Sequence, residues 1–240
     1  RAVAQAGDEI IFSKHAFAVY PLATQAVGAV ALEVAPTPQY GHDLPAMLEA
    51  IKQSGNKAKL VFVANPNNPT GSYLEPKEIE AFLSKLPSSV VVVLDEAYNE
   101  YLTPEQRYDA IAWVKRFPNM ILSRSFSKAY GLAGLRIGYG VAQPGLTDLL
   151  NRIRQPFNVN SLAQAAAIAA FQDDAFLQAG YELNQAGYAQ LTDAFKELGL
   201  RFLPSAGNFV LVKVGEDSGA GARINLELLK RGIIVRPVGN

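Results

Sequence analysis

The segment of this sequence richest in chemically useful side chains spans residues 123–139 and reads SRSFSKAYGLAGLRIGY. It lies between two apolar runs and is too polar to be a simple connection between strands. Ser125, Ser127 and Arg136 supply donors suited to a phosphate, which arginine can bind through two hydrogen bonds at once. Lys128 stands among them. The pattern therefore predicts an anion site with an amine beside it.

Lys128 could also be an ordinary surface lysine, as most lysines are. Two arginines, Arg124 and Arg136, stand near it in the sequence. Positive neighbours and partial burial destabilise an ammonium group, which favours the free amine that attacks an aldehyde. We therefore interpret Lys128 as a nucleophile. The Gly-Tyr-Gly run at 138–140 lacks the third glycine of a dinucleotide loop, so that class of site is rejected.

A second polar group begins with Asp95, which directly follows the apolar run 90–94. A carboxylate beside an apolar core is destabilised unless a cation or proton donor lies near, and a protonated ring nitrogen would provide one. Tyr98 could place its hydroxyl beside the same ligand. The alternative is that Asp95 caps the next helix while Tyr98 packs in the core. We expect Glu96 to be a solvated or structural residue.

A third group is the loop NPNNPTG, residues 65–71, which directly follows the apolar run 60–64. In open α/β sheets, ligands bind at the carboxyl ends of the strands. Its two prolines restrict the residues before them, so that Asn68 could project its amide towards a ligand oxygen. Taken alone, the loop is better explained as an ordinary turn, because Asn, Pro and Gly are common turn residues.

The elements that must position these groups alternate between strand-like and helix-like runs, which predicts an α/β fold with a mostly parallel sheet flanked by helices. The predicted strands are 9–12, 28–34, 60–64, 90–95, 119–124 and 137–141, with helices at 16–26, 44–53, 76–86 and 105–117. Beyond Pro144 we predict helices 161–171 and 175–198, a strand 209–214, a helix 222–231 and a strand 233–235. Residues 1–155 are thus expected to form a large domain, and residues 156–240 a bridging helix and a smaller α+β domain.

Composition narrows the possible classes of protein. Hydrophobic residues make up 49% and charged residues 18%, which fits a folded enzyme and excludes disorder. Lys plus Arg and Asp plus Glu both number 22, and no apolar run reaches the roughly 20 residues of a membrane span, so neither nucleic acid nor a membrane is indicated as a partner. The absence of cysteine and the presence of only two histidines argue against a metal centre and fit a cytoplasmic protein. The sequence opens with Arg1 in what reads as the end of a helix, and we expect both ends to be cut.

Together and in this order, NPNNPTG, Asp95 with Tyr98, and SFSKAYGLAGLR resemble the fold-type I pyridoxal-phosphate aminotransferases. Within that superfamily the chain is most similar to the histidinol-phosphate aminotransferases. The resemblance covers essentially the whole chain, including RQPFNVN at 154–160 and PSAGNF at 204–209. It implies a homodimeric enzyme that uses pyridoxal 5'-phosphate to transfer the amino group of histidinol phosphate to 2-oxoglutarate in histidine biosynthesis.

The resemblance also implies roles for individual residues. Lys128 would carry the cofactor covalently and shuttle the substrate's α-proton. Asp95 would pair with the pyridine nitrogen, and Asn68 and Tyr98 would contact the phenolic oxygen of the ring. The implied catalytic residues are Lys128, Asp95 and Tyr98, and the implied cofactor-binding residues are Phe17, Asn68, Asp95, Tyr98, Ser125, Ser127, Lys128 and Arg136, of which the two serines and the arginine hold the phosphate.

Three further residues are implied with open alternatives. Phe17 falls where the family has an aromatic ring stacked on the cofactor, although packing in the core explains it equally well. Tyr20, in the same stretch, is a candidate for substrate contact. Arg236 matches the position that contacts the far end of the substrate, the phosphate in histidinol phosphate. The alternative is a solvated arginine at the end of a strand.

Two other functions stay open from the sequence. Another fold-type I enzyme, such as an aromatic aminotransferase or a threonine-phosphate decarboxylase, would use the same cofactor residues. A non-catalytic aminotransferase-like effector domain of a regulator is the second, but no basic or helix-turn-helix segment supports it. The family's N-terminal phosphate loop would precede Arg1 and its carboxylate-binding arginine would follow Asn240. These 240 residues by themselves could therefore lack activity or cofactor binding.

Overall fold

The six strands of the protein form one sheet in the computed structural model, which describes residues 2–238. The outermost residues of the two predicted domains, Arg1 and Asn240, lie outside the described residues. The strands are β1 (Glu9–Ser13), β2 (Val30–Val34), β3 (Ala58–Ala64), β4 (Val91–Asp95), β5 (Met120–Ser125) and β6 (Gly138–Ala142), in the order β2-β1-β3-β4-β5-β6. All neighbours pair in parallel except β5 and β6, which are antiparallel. The predicted fold class, a mostly parallel sheet flanked by helices, is confirmed.

Helices connect and follow the strands. They are α1 (Val19–Ala26), α2 (Leu44–Ser54), α3 (Pro76–Leu83), α4 (Ala110–Arg116), α5 (Pro144–Ile153), α6 (Ser161–Ala170), α7 (Asp174–Glu197) and α8 (Ala220–Leu229). Side chains before several of them accept the first free N–H groups, as Asp43 does for the Ala46 N–H at 2.9 Å and Asn160 for the Ala163 N–H at 2.8 Å. Within residues 2–238, no helix is both long enough and apolar enough to cross a bilayer.

The main core lies between the sheet and helices α2, α3 and α4. Central parallel strands are covered on both faces, and they read as continuous apolar runs for that reason. A second, smaller core covers the opposite face around Phe12 and Tyr20. The central strands β3, β4 and β5 are thereby fixed, and the residues that follow them are carried on a rigid support.

The end of the chain differs from the prediction. The strands expected at 209–214 and 233–235 are wrong: among the described residues there is one isolated antiparallel bridge, between Phe202 and Val212, and residues 233–238 are exposed and irregular. A strand needs a neighbour to accept its backbone hydrogen bonds, and an apolar run alone does not supply one. The smaller α+β domain predicted for residues 156–240 is therefore not formed by the described residues, which have only helices α6 to α8 and this bridge after residue 155. The proposed boundary at residue 155 falls between α5 and α6 and stays a prediction.

Candidate active site

The three polar groups of the sequence meet at one edge of the sheet. Strands β3, β4 and β5 are adjacent and parallel, with Ala64 paired to Asp95 and Asp95 paired to Ser123. Because parallel strands end on the same side, the loop after β3, the acid that ends β4 and the lysine segment after β5 come together there. This is the edge at which open α/β sheets bind ligands.

Asp95 is a largely buried carboxylate with two donors. The hydroxyl of Tyr20 donates to Oδ2 at 2.7 Å, and the N–H of Ala97 donates to Oδ1 at 3.2 Å. Burial raises the pKa of Asp95, whereas both hydrogen bonds lower it. Burial and the charge of Asp95 in turn raise the pKa of Tyr20, so its phenol stays a donor. A carboxylate in this setting is stabilised further by any cation brought next to it.

Tyr20 therefore has a partner that the sequence did not indicate. It was singled out for substrate contact, yet its ring is buried, stacked on Phe62 at 4.3 Å between centroids, and its hydroxyl is directed at Asp95. The two residues are 75 positions apart, and no local pattern links them. Only the apolar stretch around Tyr20, which predicts a helix packed on the sheet, pointed to its burial.

Tyr98 lies where the loop after β3 meets the lysine segment. The side-chain amide of Asn68 donates to the Tyr98 hydroxyl at 2.8 Å. Nζ of Lys128 lies 5.5 Å from the centroid of the Tyr98 ring, within the range of a cation–π contact. Lys128 is otherwise exposed. The structure thus brings together the three residues that the sequence had proposed from separate motifs.

The predicted phosphate donors also lie together. The backbone N–H of Ser127 donates to Oγ of Ser125 at 3.0 Å, and Nη1 of Arg136 donates to Oγ of Ser127 at 3.4 Å. Arg136 also donates to the carbonyl of Ala133 at 2.8 Å and has a φ of 53°, a left-handed conformation uncommon for a residue with a Cβ atom. The result is a compact group of hydroxyls and one guanidinium, open to solvent and suited to an anion.

Arg124, which the sequence analysis placed near Lys128, is paired with a carboxylate. Its guanidinium donates to Oε2 of Glu96, from Nε at 2.9 Å and from Nη2 at 2.7 Å. The Glu96 side chain is 0% exposed and that of Arg124 is 14% exposed. The charge of Arg124 is therefore compensated by Glu96, and Glu96 is structural and buried, not solvated.

Phe17 and Arg236, two other residues predicted for the site, differ in their contacts with the other site residues. The Phe17 ring is 40% exposed and meets Tyr20 edge-on at 6.0 Å, which places it beside the Asp95 end of the site. The side-chain amide of Asn67 donates to the carbonyl of His15 at 2.7 Å and so stabilises the segment that contains Phe17. Arg236 lies in the exposed segment after α8. Within residues 2–238, no hydrogen bond or ion pair joins Arg236 to the residues around Tyr98.

A segment that the sequence did not assign to the site completes the wall around Tyr98. The Phe209 ring packs edge-on against Tyr98 with centroids 5.1 Å apart, and Asn208 donates to the Tyr101 hydroxyl at 3.4 Å. The N–H of Ala206 donates to the carbonyl of Gly71 at 2.9 Å. The PSAGNF segment, residues 204–209, thus packs on the loop after β3 and on Tyr98.

The donor set fits a phosphorylated, planar heterocycle that carries an aldehyde. A buried acid with a raised pKa suits a protonated ring nitrogen, a paired amide and phenol suit a ring oxygen, and an exposed amine suits the aldehyde. The serines and Arg136 suit the phosphate. Pyridoxal phosphate has all of these groups, so the residues present fit it.

Comparison with known proteins decides the family. The sequence model for aminotransferases of class I and II matches residues 1–240. The chain belongs to this family. Aminotransferases of this family therefore provide the frame in which the site is interpreted.

Two relatives of this aminotransferase chain are histidinol-phosphate aminotransferases. It is 65% identical over 240 residues to histidinol-phosphate aminotransferase 2 of Ralstonia nicotianae, with 100% of this chain and 63% of that protein covered. It is 62% identical over 239 residues to histidinol-phosphate aminotransferase 1 of Cupriavidus pinatubonensis, covering 100% of this chain and 62% of that protein. The chain thus spans somewhat less than two thirds of these curated relatives.

Solved aminotransferase structures share the fold. Histidinol-phosphate aminotransferase from Sinorhizobium meliloti, determined in complex with pyridoxal-5'-phosphate, superposes with a TM-score of 0.92 at 34% identity, over 98% of this chain and 63% of that chain. A tetra mutant of aspartate aminotransferase from Thermus thermophilus gives a TM-score of 0.84 at 24% identity, over 98% of this chain and 66% of that one. The second likeness shows the fold alone.

Proposed function

We propose that the protein containing this chain transfers the amino group of histidinol phosphate to a 2-oxo acid, 2-oxoglutarate, with pyridoxal 5'-phosphate as cofactor, in histidine biosynthesis. The observation that carries this proposal is the meeting of Asp95, Asn68 with Tyr98, and Lys128 at the ends of three adjacent strands. The 65% identity to a histidinol-phosphate aminotransferase supports the substrate.

The residues have the following roles in this proposal. Pyridoxal phosphate, when bound, supplies an electron sink beside the substrate's α-carbon. Asp95 keeps the ring nitrogen protonated, and its buried carboxylate with Tyr20 behind it is suited to that task. Asn68 and Tyr98 donate to the phenolic oxygen attached to the ring. Lys128 holds the cofactor through its amine and moves the proton at the α-carbon.

The remaining predicted residues complete the site. Ser125, Ser127 and Arg136 bind the cofactor phosphate, which the grouping of their donors supports. Phe17, partly exposed beside Tyr20, covers one face of the ring. Tyr20 and Arg236 were predicted to contact substrate. For Arg236 we retain that role, with the substrate phosphate as its partner, because a guanidinium is suited to it.

We also propose that the protein is a cytoplasmic homodimer. Large apolar side chains on α6 and α7 are exposed, among them Leu162 at 76% and Leu183 at 75%. Exposed apolar surface of this kind is typical of a face that another protein surface covers. Sedimentation of the purified protein tests this: a monomer at micromolar concentration would refute it.

The test of function is a half-reaction measured on the purified full-length protein. Histidinol phosphate, phenylalanine and threonine phosphate are each added to the cofactor-loaded enzyme while the cofactor absorbance is followed. We expect the largest rate per molar substrate with histidinol phosphate. A preference for either of the other two would show that the substrate is wrong although the cofactor assignment is right.

The role of Lys128 is tested separately by borohydride reduction and peptide mapping. The reduced cofactor should be found on Lys128, and Lys128→Ala should carry none and lose turnover. The exposed Lys85, in the turn after α3, provides the control, because Lys85→Ala should behave as the unmodified protein. Normal turnover by Lys128→Ala would refute the assignment.

A further inference from the structure

A buried polar network lies directly behind the site, formed by Asn65, Tyr108, Glu96 and Arg124. Nδ2 of Asn65 donates to the Tyr108 hydroxyl at 3.0 Å, and Asn65 is fixed in turn by donating to the carbonyl of Leu74 at 3.1 Å. Asn65 is fully buried. The first residue of the loop that carries Asn68 is therefore held from below.

Glu96 and Arg124 continue the network across the sheet. Two nitrogens of Arg124 converge on Oε2 of Glu96, at 2.9 and 2.7 Å. Burial raises the pKa of Glu96, whereas Arg124 and, to a smaller extent, Tyr108 lower it. Oε1 of Glu96 has no hydrogen-bond partner among the described residues. The Glu96–Arg124 pair thus joins the ends of β4 and β5, and the Asn65–Tyr108 pair lies at the end of β3.

Two members of the network, Glu96 and Arg124, are next to proposed site residues in the sequence. Glu96 immediately follows Asp95, and Arg124 immediately precedes Ser125. A shift of the Glu96–Arg124 pair would therefore move the acid and the lysine segment relative to each other. Misplacement by about 1 Å is enough to weaken a site seriously.

Stability alone does not account for a pair of this kind. Removing two charges from water costs several kcal/mol per ion, and replacing a buried pair by apolar residues of similar size is often neutral or stabilising. In the nine other ion pairs of residues 2–238 both side chains are at least 37% exposed, whereas this pair is buried behind the site. Its location indicates a role in geometry.

We propose that Glu96 and Arg124 are positioning residues that hold Asp95 and the Ser125–Lys128 segment at the spacing the cofactor requires. This inference rests on the proposed function. The two residues touch neither cofactor nor substrate in it. They act through their neighbours in the chain, Asp95 and Ser125.

The test compares cofactor binding with stability in the purified full-length protein. Apoenzyme is titrated with pyridoxal phosphate, and the dissociation constant and the pH midpoint of the cofactor absorption band are recorded. Glu96→Gln should weaken binding by about tenfold or more, the lower end of what removing a group behind a binding residue costs at metal sites. The pH midpoint should move as well, because the distance between Asp95 and the lysine changes.

The matched control is Glu80→Gln, which removes the carboxylate of the exposed pair with Arg116. It should leave both readings unchanged. A second variant, Glu96→Leu/Arg124→Met, removes both charges and leaves neither buried alone, so apoenzyme should melt near the unmodified protein. The proposal expects its cofactor binding to stay weak. Arg124→Lys keeps a cation next to Glu96. It should therefore retain part of the cofactor affinity that Glu96→Gln loses.

The outcomes separate the two proposals. If the double variant binds cofactor as tightly as the unmodified protein with the same pH midpoint, the positioning role is overturned while the proposed function stands. If Glu96→Gln fails to fold, the double variant and Arg124→Lys decide in the same way. If the unmodified protein binds no pyridoxal phosphate, both proposals fail together.

Discussion

His42 should make the protein lose stability in mild acid, and the size of the loss follows from its surroundings. The ring is buried, with Nε2 3.0 Å from the carbonyl oxygen of Ala64, the residue before the NPNNPTG loop. Burial lowers the pKa of His42 from 6.5 to about 4, although the hydrogen bond to Ala64 acts in the opposite direction. The folded protein therefore keeps this ring neutral where the unfolded chain has already protonated it.

The sign and size of this loss of stability follow from the difference between the pKa of His42 in the folded and in the unfolded protein. A lowered folded-state pKa means that the unfolded chain binds the extra proton between pH 6.5 and about 4. The contribution is complete above the unfolded pKa and is lost as the pH falls through that interval. Between about pH 7.5 and about pH 4.5 the loss amounts to about 2.5 kcal/mol of unfolding free energy.

The assay is urea unfolding of the apoenzyme at several pH values, with His42→Gln as the comparison. Other groups titrate in this range, so the informative quantity is the difference in unfolding free energy between the two proteins. We expect the advantage of the unmodified protein to shrink by about 2.5 kcal/mol from about pH 7.5 to about pH 4.5. A difference that stays constant to within about 0.5 kcal/mol would refute the reasoning from burial.

Glu100 should show the opposite slope: burial raises its pKa from 4.5 to about 7, so its contribution is present below pH 4.5 and lost as the pH rises through about 7. The same urea titration on Glu100→Gln checks this, and equal slopes in both proteins would contradict it. Asp95→Asn should slow the half-reaction with histidinol phosphate by at least about a hundredfold in stopped-flow absorbance, and an unchanged rate would remove the acid from the mechanism. Gly71→Ala should destabilise by about 2 kcal/mol or more, because φ is +73° and the new Cβ would lie 2.8 Å from Cα of Ser205. Gly55→Ala is its control in the same unfolding assay, with φ of +60° and nothing within 4 Å, and equal losses for the two would disprove the contact argument.

Much of the sheet could be predicted because its central strands are buried on both faces. Residues 60–64 and 90–94 read as unbroken apolar runs, and the structure has strands at Ala58–Ala64 and Val91–Asp95. The predicted start of one helix was less accurate than the predicted strands. The helix predicted at 105–117 begins at Ala110, because a short turn at Pro104–Gln106 precedes it and Asp109 supplies the cap.

In the candidate site, only the residues that stand in local sequence motifs could be predicted. Asn68, Tyr98 and Lys128 each stand in a recognisable motif, and the structure brings them together. The hydrogen bond from Tyr20 to Asp95 and the pair of Glu96 with Arg124 depend on how distant segments pack, which no spacing in the sequence records. A charged residue after a buried strand is compatible with a solvated or a paired state until its partner is located.

The contact between Phe209 and Tyr98 makes the order of synthesis relevant to this protein. Every residue proposed to hold the cofactor leaves the ribosome well before Phe209, which follows the long helix α7. A nascent chain that ends before Phe209 lacks one of the rings that contact Tyr98. If the proposed function is right, we expect such a chain to retain the cofactor less tightly than the longer protein, and cofactor retention by stalled chains of increasing length would measure this.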